Sequence, residues 1–355
     1  MFDELSSPPP GLVKRRVTVR QIAEKARLSV ATVDRVINGR TTVRRATALR
    51  VQSAAHALGY QFTVPMRVRI DEAPQAMKCV FLLQRRASSF YQHLAEELQQ
   101  TSQRDPLQGV QVSIQHMDDY LEPAKVADTL RSVQGQVDAV AVVATESNPV
   151  SDAIEFLAEQ QIPVVALLSD LSSPKLAGYA GINNRMAGRT AAWAIARCAN
   201  RPGKLGVLIG SHGYIGQEER EIGFRGYFRE RGLEFKVLEP AVCLDDPEIA
   251  FKQTLELLQG TDELAGIYNV GGGASGVLRA IEETQPSRKL AYVCHELTPV
   301  TRAGLSAGTI DLVLAHDVPE LARSALKMVA DLKKAPPGRK QSVVVPFNIY
   351  TSENI

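Results

Sequence analysis

The stretch Val17–Tyr60, VTVRQIAEKARLSVATVDRVINGRTTVRRATALRVQSAAHALGY, constrains this chain most, because its punctuation predicts three short helices. Thr18-Val19-Arg20-Gln21 is a capping-box pattern: the Thr18 oxygen can accept from the Gln21 amide while the Gln21 side chain reaches back. Ile22, Ala23 and Ala26 then give a first helix one apolar face. Ser29 is placed to cap a second helix, whose inner stripe is Val33, Val36 and Ile37. Asn38-Gly39 ends it, and a third helix carries Ala46, Leu49, Ala54 and Leu58 inward before Gly59 stops it. Helix, short turn, helix and support helix spell a helix-turn-helix domain.

The charge distribution agrees. Between Lys14 and Arg69 stand thirteen lysines and arginines against only Glu24 and Asp34, a balance of +11. The whole chain is +2, which leaves the remainder near −9. One basic run alone is usually a solvated face. Here it coincides with helix-turn-helix grammar, the electrostatic footprint of a DNA reader on an acidic body.

From Ser29 the sequence reads SVATVDRVINGR. Together with VTVRQIAEKA before it and the alanine-rich helix ending in LGY, it resembles the N-terminal signature of the lactose-repressor (LacI) family of bacterial regulators. The resemblance implies a homodimer whose second helix lies in the major groove of palindromic double-stranded operator DNA. Carried over by position, Val30, Ala31 and Arg35 would face base edges, with Thr18, Ser29, Thr32 and Asn38 near phosphates. Arg35 can grip guanine O6 and N7 bidentately, whereas Val30 and Ala31 can only touch a thymine methyl. Asp34 would repel phosphate unless it accepts from a cytosine amine or pairs with an arginine.

Two departures from that family stand out. Arg27 occupies a turn where glycine is usual, and a left-handed backbone there would cost arginine about 1 kcal/mol. After Tyr60 the family carries a hinge helix with a leucine wedge, but this chain reads QFTVPMRVRIDEAPQAMK. Pro65 sits mid-segment, and Val68 or Arg69 falls where the leucine belongs. Proline removes a helical N–H and restricts Val64 before it, so the hinge is either extended or a shorter helix starting at Pro65.

At 355 residues, two or three lobes are expected. Residues 1–14 read as a disordered leader, 15–61 as the helix-turn-helix domain, 62–76 as a linker and 77–355 as the body. Cys79, Cys198, Cys243 and Cys294 are scattered without a C-x-x-C pair, which predicts reduced core thiols in the cytoplasm rather than a disulfide frame or metal site. No apolar run reaches the roughly 18 residues of a membrane helix.

From Met77 the grammar changes. Apolar runs such as CVFLLQ, AVAVVAT, PVVALLS, KLGVLIG, LAGIYNV and LAYVCHEL alternate with amphipathic stretches. Strands buried on both faces, each followed by a helix, predict parallel sheets with helices on both sides, here in two lobes. The segment KVLEPAVCL reads as one further strand. The fold class expected is thus an all-α helix-turn-helix head joined to a bilobed α/β body. That body resembles the periplasmic sugar-binding proteins whose fold the family uses for effectors.

Ligands of open α/β sheets bind beyond the carboxyl ends of strands, so the cleft between lobes is the expected site. The resemblance places Phe90 and Tyr91 (beside Ser89), Asp170 (beside Ser169), Arg220, Asn269, Glu296 (beside His295) and His316 (beside Asp317) there. Their chemistry suits a sugar or sugar alcohol. Planar polar forks grip hydroxyls, and an aromatic ring covers the C–H face. Singly, each has a plainer reading: an acid after a strand often caps a helix, and a lone histidine or arginine is often a surface group.

Other chemistry is poorly supported. Gly271–Gly273 lacks the Walker spacing and its lysine, and GSHGYIG lacks a nucleophile-elbow frame. No cofactor or metal is expected, and the chain reads as a regulator rather than an enzyme. A purine or other non-sugar corepressor, or a non-regulatory binding role, are the alternatives.

Overall fold

The computed structural model describes residues 17–38, 45–58, 60, 76–104, 109–332 and 340–355. The proline-containing hinge, the leader and Ala46's side chain lie outside them. Contacts divide the chain after Gln75 into two units.

The first unit holds α1 (Val19–Ala26), α2 (Val30–Asn38) and α3 (Arg45–Ala57). The Thr18–Gln21 capping box is present, and Ser29 Oγ accepts from Thr32 N at 3.2 Å. Ile22, Ala23, Ala26, Val33, Val36 and Ile37 are buried as the 3.6-residue period requires. On α3 the buried residues include Val51, Ala54 and Ala55, so the inner face is shifted from the one the sequence suggests. Arg27 ends α1 at φ 52° and ψ 49°, the left-handed conformation in which its N–H closes the helix.

The second unit is two parallel sheets. One has the order β12-β5-β4-β3-β1-β2, from strands β1 (Met77–Gln84), β2 (Val110–Met117), β3 (Ala139–Val142), β4 (Val164–Leu167), β5 (Gly178–Ile182) and β12 (Gln341–Val345). The other runs β13-β11-β10-β9-β6-β7, with β8 also on β6. Its strands are β6 (Lys204–Ile209), β7 (Lys236–Val237), β8 (Ala241–Val242), β9 (Leu264–Asn269), β10 (Ala291–His295), β11 (Leu312–His316) and β13 (Phe347–Tyr350). Among the described strands only β13 is antiparallel to its neighbour. On β1, Cys79, Phe81 and Leu83 enter one core cluster and Val80 and Leu82 another, which is why the strand is apolar throughout.

Three differences from the sequence reading have physical causes. Glu239-Pro240 interrupts KVLEPAVCL, leaving β7 and β8 as two short pieces, since proline cannot donate to a ladder. A short helix, Pro299–Ser306, follows β10 behind a Thr298–Thr301 capping box. The edge strands β12 and β13 leave all but Val345 partly or fully exposed, so they lack the two-sided burial that marks the central strands.

The chain passes between lobes three times. From β5 it enters α7 (Asn184–Cys198), which packs on β9, β10 and β11 of the other sheet. From β11 it returns through α12 (Val318–Leu332) onto β5 and β12. Finally β12 hands over to β13 across Pro346.

Candidate functional site

On the head, Val30, Ala31, Arg35 and Asn38 are exposed on one side of α2, and Thr32 is half-buried. Val30 is 50 % exposed, an apolar side chain that α2 leaves uncovered. Asp34 Oδ1 accepts from Asn38 Nδ2 at 2.7 Å, so neither an arginine nor a base is required to satisfy it. Arg50 donates to Ala26 O at 2.6 Å and Arg27 O at 3.3 Å, capping the last carbonyls of α1. That one cation of the basic set is structural. Thr18 and Ser29 likewise spend side-chain oxygens on helix caps.

In the body, a cavity of about 300 Å³ opens where the carboxyl ends of the two sheets face each other. The first lobe contributes Gln84 at the end of β1 and Arg85 after it, then Ser89, Phe90 and Tyr91 in the first turn of α4 (Ser89–Arg104), and Ser169 after β4. The second contributes Tyr214, Gln217 and Arg220 around the start of α8 (Ile215–Arg231). It adds Asp245, Gly271–Gly273, His295, Glu296 and His316. Four non-glycine lining residues sit at positive φ: Arg85 at 32°, Leu168 at 65°, Asp245 at 53° and Glu296 at 65°. Such backbone costs on the order of 1 kcal/mol or more apiece and concentrates at sites where side-chain aim matters.

Arg220 is buried and held from two sides. Its Nε donates to Asn184 Oδ1 at 2.8 Å and Nη1 to Val270 O at 2.9 Å. Asn184, at the first lobe crossing, also donates to the Tyr179 hydroxyl at 3.2 Å. Gly188 on α7 lets the Arg220 backbone approach, since a Cβ there would lie 1.8 Å from its carbonyl oxygen.

Glu296 is clamped on His316: Oε1 lies 2.6 Å from Nδ1, and Oε2 accepts the His316 N–H at 3.2 Å. Burial raises the Glu296 carboxyl, but His316, these hydrogen bonds and Arg220 together outweigh it and leave its pKa below the usual range. His295 is driven well below its ordinary pKa by burial first, then by Arg220 and His316. It is a neutral imidazole, 2.8 Å from the Tyr268 hydroxyl. Phe90 lies edge-on to Tyr91 at 5.3 Å between centroids and 5.9 Å from the His316 ring.

Asp245 is the acid that sequence reasoning missed. Its carboxylate accepts from Gly272 N at 2.6 Å and from Gln217 Nε2 at 3.1 Å. Burial raises its pKa, opposed by Gly272, Gln217, Arg85 and Arg220. A Cβ on Gly271 or Gly210 would lie within 2.3 Å of an Asp245 oxygen. Those glycines therefore make room for this carboxylate, and Gly273 at φ 82° begins α10 (Ala274–Thr284).

The structure brings Phe90, Tyr91, Arg220, Glu296 and His316 together, with Ser89, Ser169 and His295 beside them. Two expectations need correction. Asp170 does not line the cavity; Lys340 Nζ lies 2.7 Å from its carboxylate, and Asp170 also caps Leu171 N. Asn269 is fully buried and donates to Gly272 O at 2.9 Å, shaping the glycine turn instead of lining the cleft. Asp317 caps the start of α12 through Glu320 N at 3.0 Å. Four cysteines are free. Among the described residues no helix is long and apolar enough to cross a membrane, and no cluster of three or more metal-ligand side chains occurs.

The two lobes are tied across the cleft. Gln84 Nε2 donates to the Tyr214 hydroxyl at 2.8 Å, Gly216 N to Ser169 Oγ at 3.1 Å and Glu146 N to Gly213 O at 2.7 Å. Arg85 donates to Asp245 O across the same gap, while within the first lobe the Tyr91 hydroxyl donates to Gln84 Oε1 at 3.1 Å and so fixes the amide that reaches Tyr214.

Comparison with known proteins places this geometry. Residues 79–337 match the periplasmic binding protein domain and residues 18–62 the bacterial regulatory proteins of the lacI family. The curated proteins contain no significant match. Among solved structures, an ABC transporter solute binding protein from Agrobacterium vitis with bound D-fucose is 18% identical at TM-score 0.70, covering 78% of this chain and 96% of that one. A periplasmic solute binding protein from Actinobacillus succinogenes with bound D-allose gives 17%, TM-score 0.69, 78% and 98%. A glucose-galactose binding protein from Geobacillus stearothermophilus gives 17%, 0.70, 79% and 99%. These likenesses establish the fold of the body. With a helix-turn-helix head of matching signature on a periplasmic-binding-protein body, the chain belongs to the lacI family of bacterial regulatory proteins.

Proposed function

We propose that this regulator is a cytoplasmic, homodimeric repressor whose operator affinity is set by a small sugar or sugar alcohol held in the cleft. The observation that supports it most is the cleft's composition. A buried guanidinium, two half-buried carboxylates and two buried imidazoles converge beside an aromatic pair, as a polyhydroxylated ligand requires. The fold neighbours bound to D-fucose and D-allose point the same way. The role is binding, not turnover. Phe90 and Tyr91 also fit the flat face of a purine, which keeps a non-sugar effector as the second reading.

Ligand in the cleft favours one lobe arrangement, and linkage carries that preference to the DNA heads of the dimer. On the head, Arg35 reads base edges from the exposed side of α2, with Val30 and Ala31 beside it and Thr18, Ser29, Thr32 and Asn38 near the backbone phosphates.

The test is fluorescence-anisotropy binding of the full chain to its own upstream DNA at fixed salt. The panel contains D-fucose, D-allose, D-tagatose, D-galactose, myo-inositol, D-galacturonate, D-glucose 6-phosphate, hypoxanthine and guanine. A shift in operator affinity with one sugar or polyol is expected, with an equal reciprocal shift in sugar affinity on adding operator. A shift with a purine alone would overturn the sugar assignment and leave the regulator. Arg35→Ala is expected to weaken the cognate operator about 10-fold or more while sparing random DNA; equal weakening on both would assign Arg35 to phosphate.

A further inference from the structure

Three non-glycine residues at positive φ meet at one contact between the lobes. Arg85, at 32°, follows β1; Leu244 at 52° and Asp245 at 53° are consecutive in the turn after β8. That turn is held within its own lobe. Leu244 N donates to Gly210 O at 2.9 Å and Asp246 N to Cys243 O at 2.9 Å. The Asp245 carboxylate is anchored on Gly272 N and Gln217 Nε2 in the space the glycines leave for it. The carbonyls of Leu244 and Asp245 go instead to the first lobe. The Arg85 guanidinium donates to Asp245 O, and the hydroxyl of Tyr120, just beyond β2, to Leu244 O at 3.4 Å. Arg85 Nη2 also lies 3.9 Å from Asp246 Oδ2. Positive φ at such residues persists only where the surroundings impose it, and here it accompanies two carbonyls turned across the gap.

The place of this contact gives it leverage. The chain crosses between lobes from β5, from β11 and from β12 to β13, and these strands form one end of each sheet. β1 and β2 lie towards the other end of the first sheet, and β6 with β8 towards the other end of the second. Lobes that swing about the crossings must part most at that opposite end. We propose that Arg85 and Tyr120 are a latch that closes on the Leu244–Asp245 turn and holds the lobes together independently of any effector. The turn is already locked by its own lobe, so closing the latch requires little rearrangement there. Arg85 supplies a charged donor, and its side chain is partly exposed, so water can take over its bonds when the latch opens. Asp245 links the latch to the cleft. Its carbonyl takes Arg85, while its carboxylate fixes Gln217 and Gly272, which line the cavity. A group bound against Gln217 or Gly272 and the closing of the latch therefore act on one residue.

Hydrogen exchange of the full chain without added ligand tests this at two amides that bridge the lobes elsewhere: Glu146, bonded to Gly213 O, and Gly216, bonded to Ser169 Oγ. Arg85→Gln should lower their protection factors about tenfold and Tyr120→Phe about threefold, the difference between a charged and a neutral donor. Amides inside β4 and β10 should keep theirs. Equal loss there would mean general destabilisation and would overturn the latch, as would unchanged protection of Glu146 and Gly216 in both variants. Should Arg85→Gln fail to fold, Tyr120→Phe, which deletes a single hydroxyl, decides alone. Anisotropy binding of the same variants to the upstream DNA, again without effector, separates this inference from the proposed function. Operator affinity that shifts along with the loss of protection supports the latch and its use in regulation. Protection that falls while operator affinity stays constant supports the latch and counts against control of the operator by lobe arrangement.

Discussion

The two lobes of the body share an architecture but divide the work of the cleft unequally. The second supplies Arg220, Asp245, Glu296, His295 and His316. The first supplies Gln84, Ser89, Phe90, Tyr91 and Ser169, with Arg85 its one charged lining residue. Most of the charged and imidazole groups thus sit on one lobe, and the aromatic pair with neutral polar groups on the other. Under the proposed function, a ligand that satisfies the second lobe's polar groups gains the aromatic face as the lobes close, which would make closure sensitive to ligand identity.

The comparison breaks most visibly at Arg220. Arg220→Ala should abolish the effector response and lower the body's stability by about 2–3 kcal/mol, since Asn184 Oδ1 and Val270 O lose a buried charged donor. Ligand titration and thermal melts read both; a retained response would remove Arg220 from the site. Next comes acidification, which should loosen the second lobe selectively. The His295 pKa is depressed in the fold, so its contribution is fully present above the unfolded value of about 6.5 and is lost as pH falls. The slope approaches about 1.4 kcal/mol per pH unit below that point. Glu296, also depressed, extends the loss to lower pH, whereas Asp245, raised, acts with opposite sign from about pH 4 upward. Amide protection factors, referred to the intrinsic rate at each pH, should fall in β10 and β11 before β3 and β4 between pH 7 and 5, and His295→Phe should flatten the trend. Equal loss of protection in both sheets would refute the division.

Smaller effects probe the first lobe. Phe90→Ala should weaken ligand binding by about 1 kcal/mol, roughly fivefold, while leaving ligand ranking unchanged, because the ring supplies cover and not hydrogen bonds. A changed ranking would move selectivity to this lobe. Asp170→Asn should alter stability by less than about 0.5 kcal/mol and leave ligand affinity alone, its partner being a half-exposed lysine.

How much of this was legible beforehand follows from local grammar. The head's caps and apolar stripes are short-range patterns, so Thr18, Ser29 and Val33 carry their roles in sequence. The body's strand–helix alternation is equally local. Glu296 and His316 could be placed because each ends, or directly follows, a strongly apolar strand. Asp245 could not, because its strand is two residues long and the glycines that accommodate it lie 26 or more positions away. Asp170 misled for the converse reason: it follows a strand in sequence, but Lys340, 170 residues on, claims its carboxylate. Long-range partners decide such roles, and a linear pattern does not encode them.

The handover at Pro346 has a consequence for synthesis. Edge strand β12 belongs to the lobe that begins at Met77, yet it is made after nearly all of the other lobe, and β13 follows at once. Neither sheet can acquire its final border until residues 341–350 have left the ribosome. Stalled chains ending near residue 332 should therefore be cut readily by protease at β5 and β11, the two strands left waiting for neighbours.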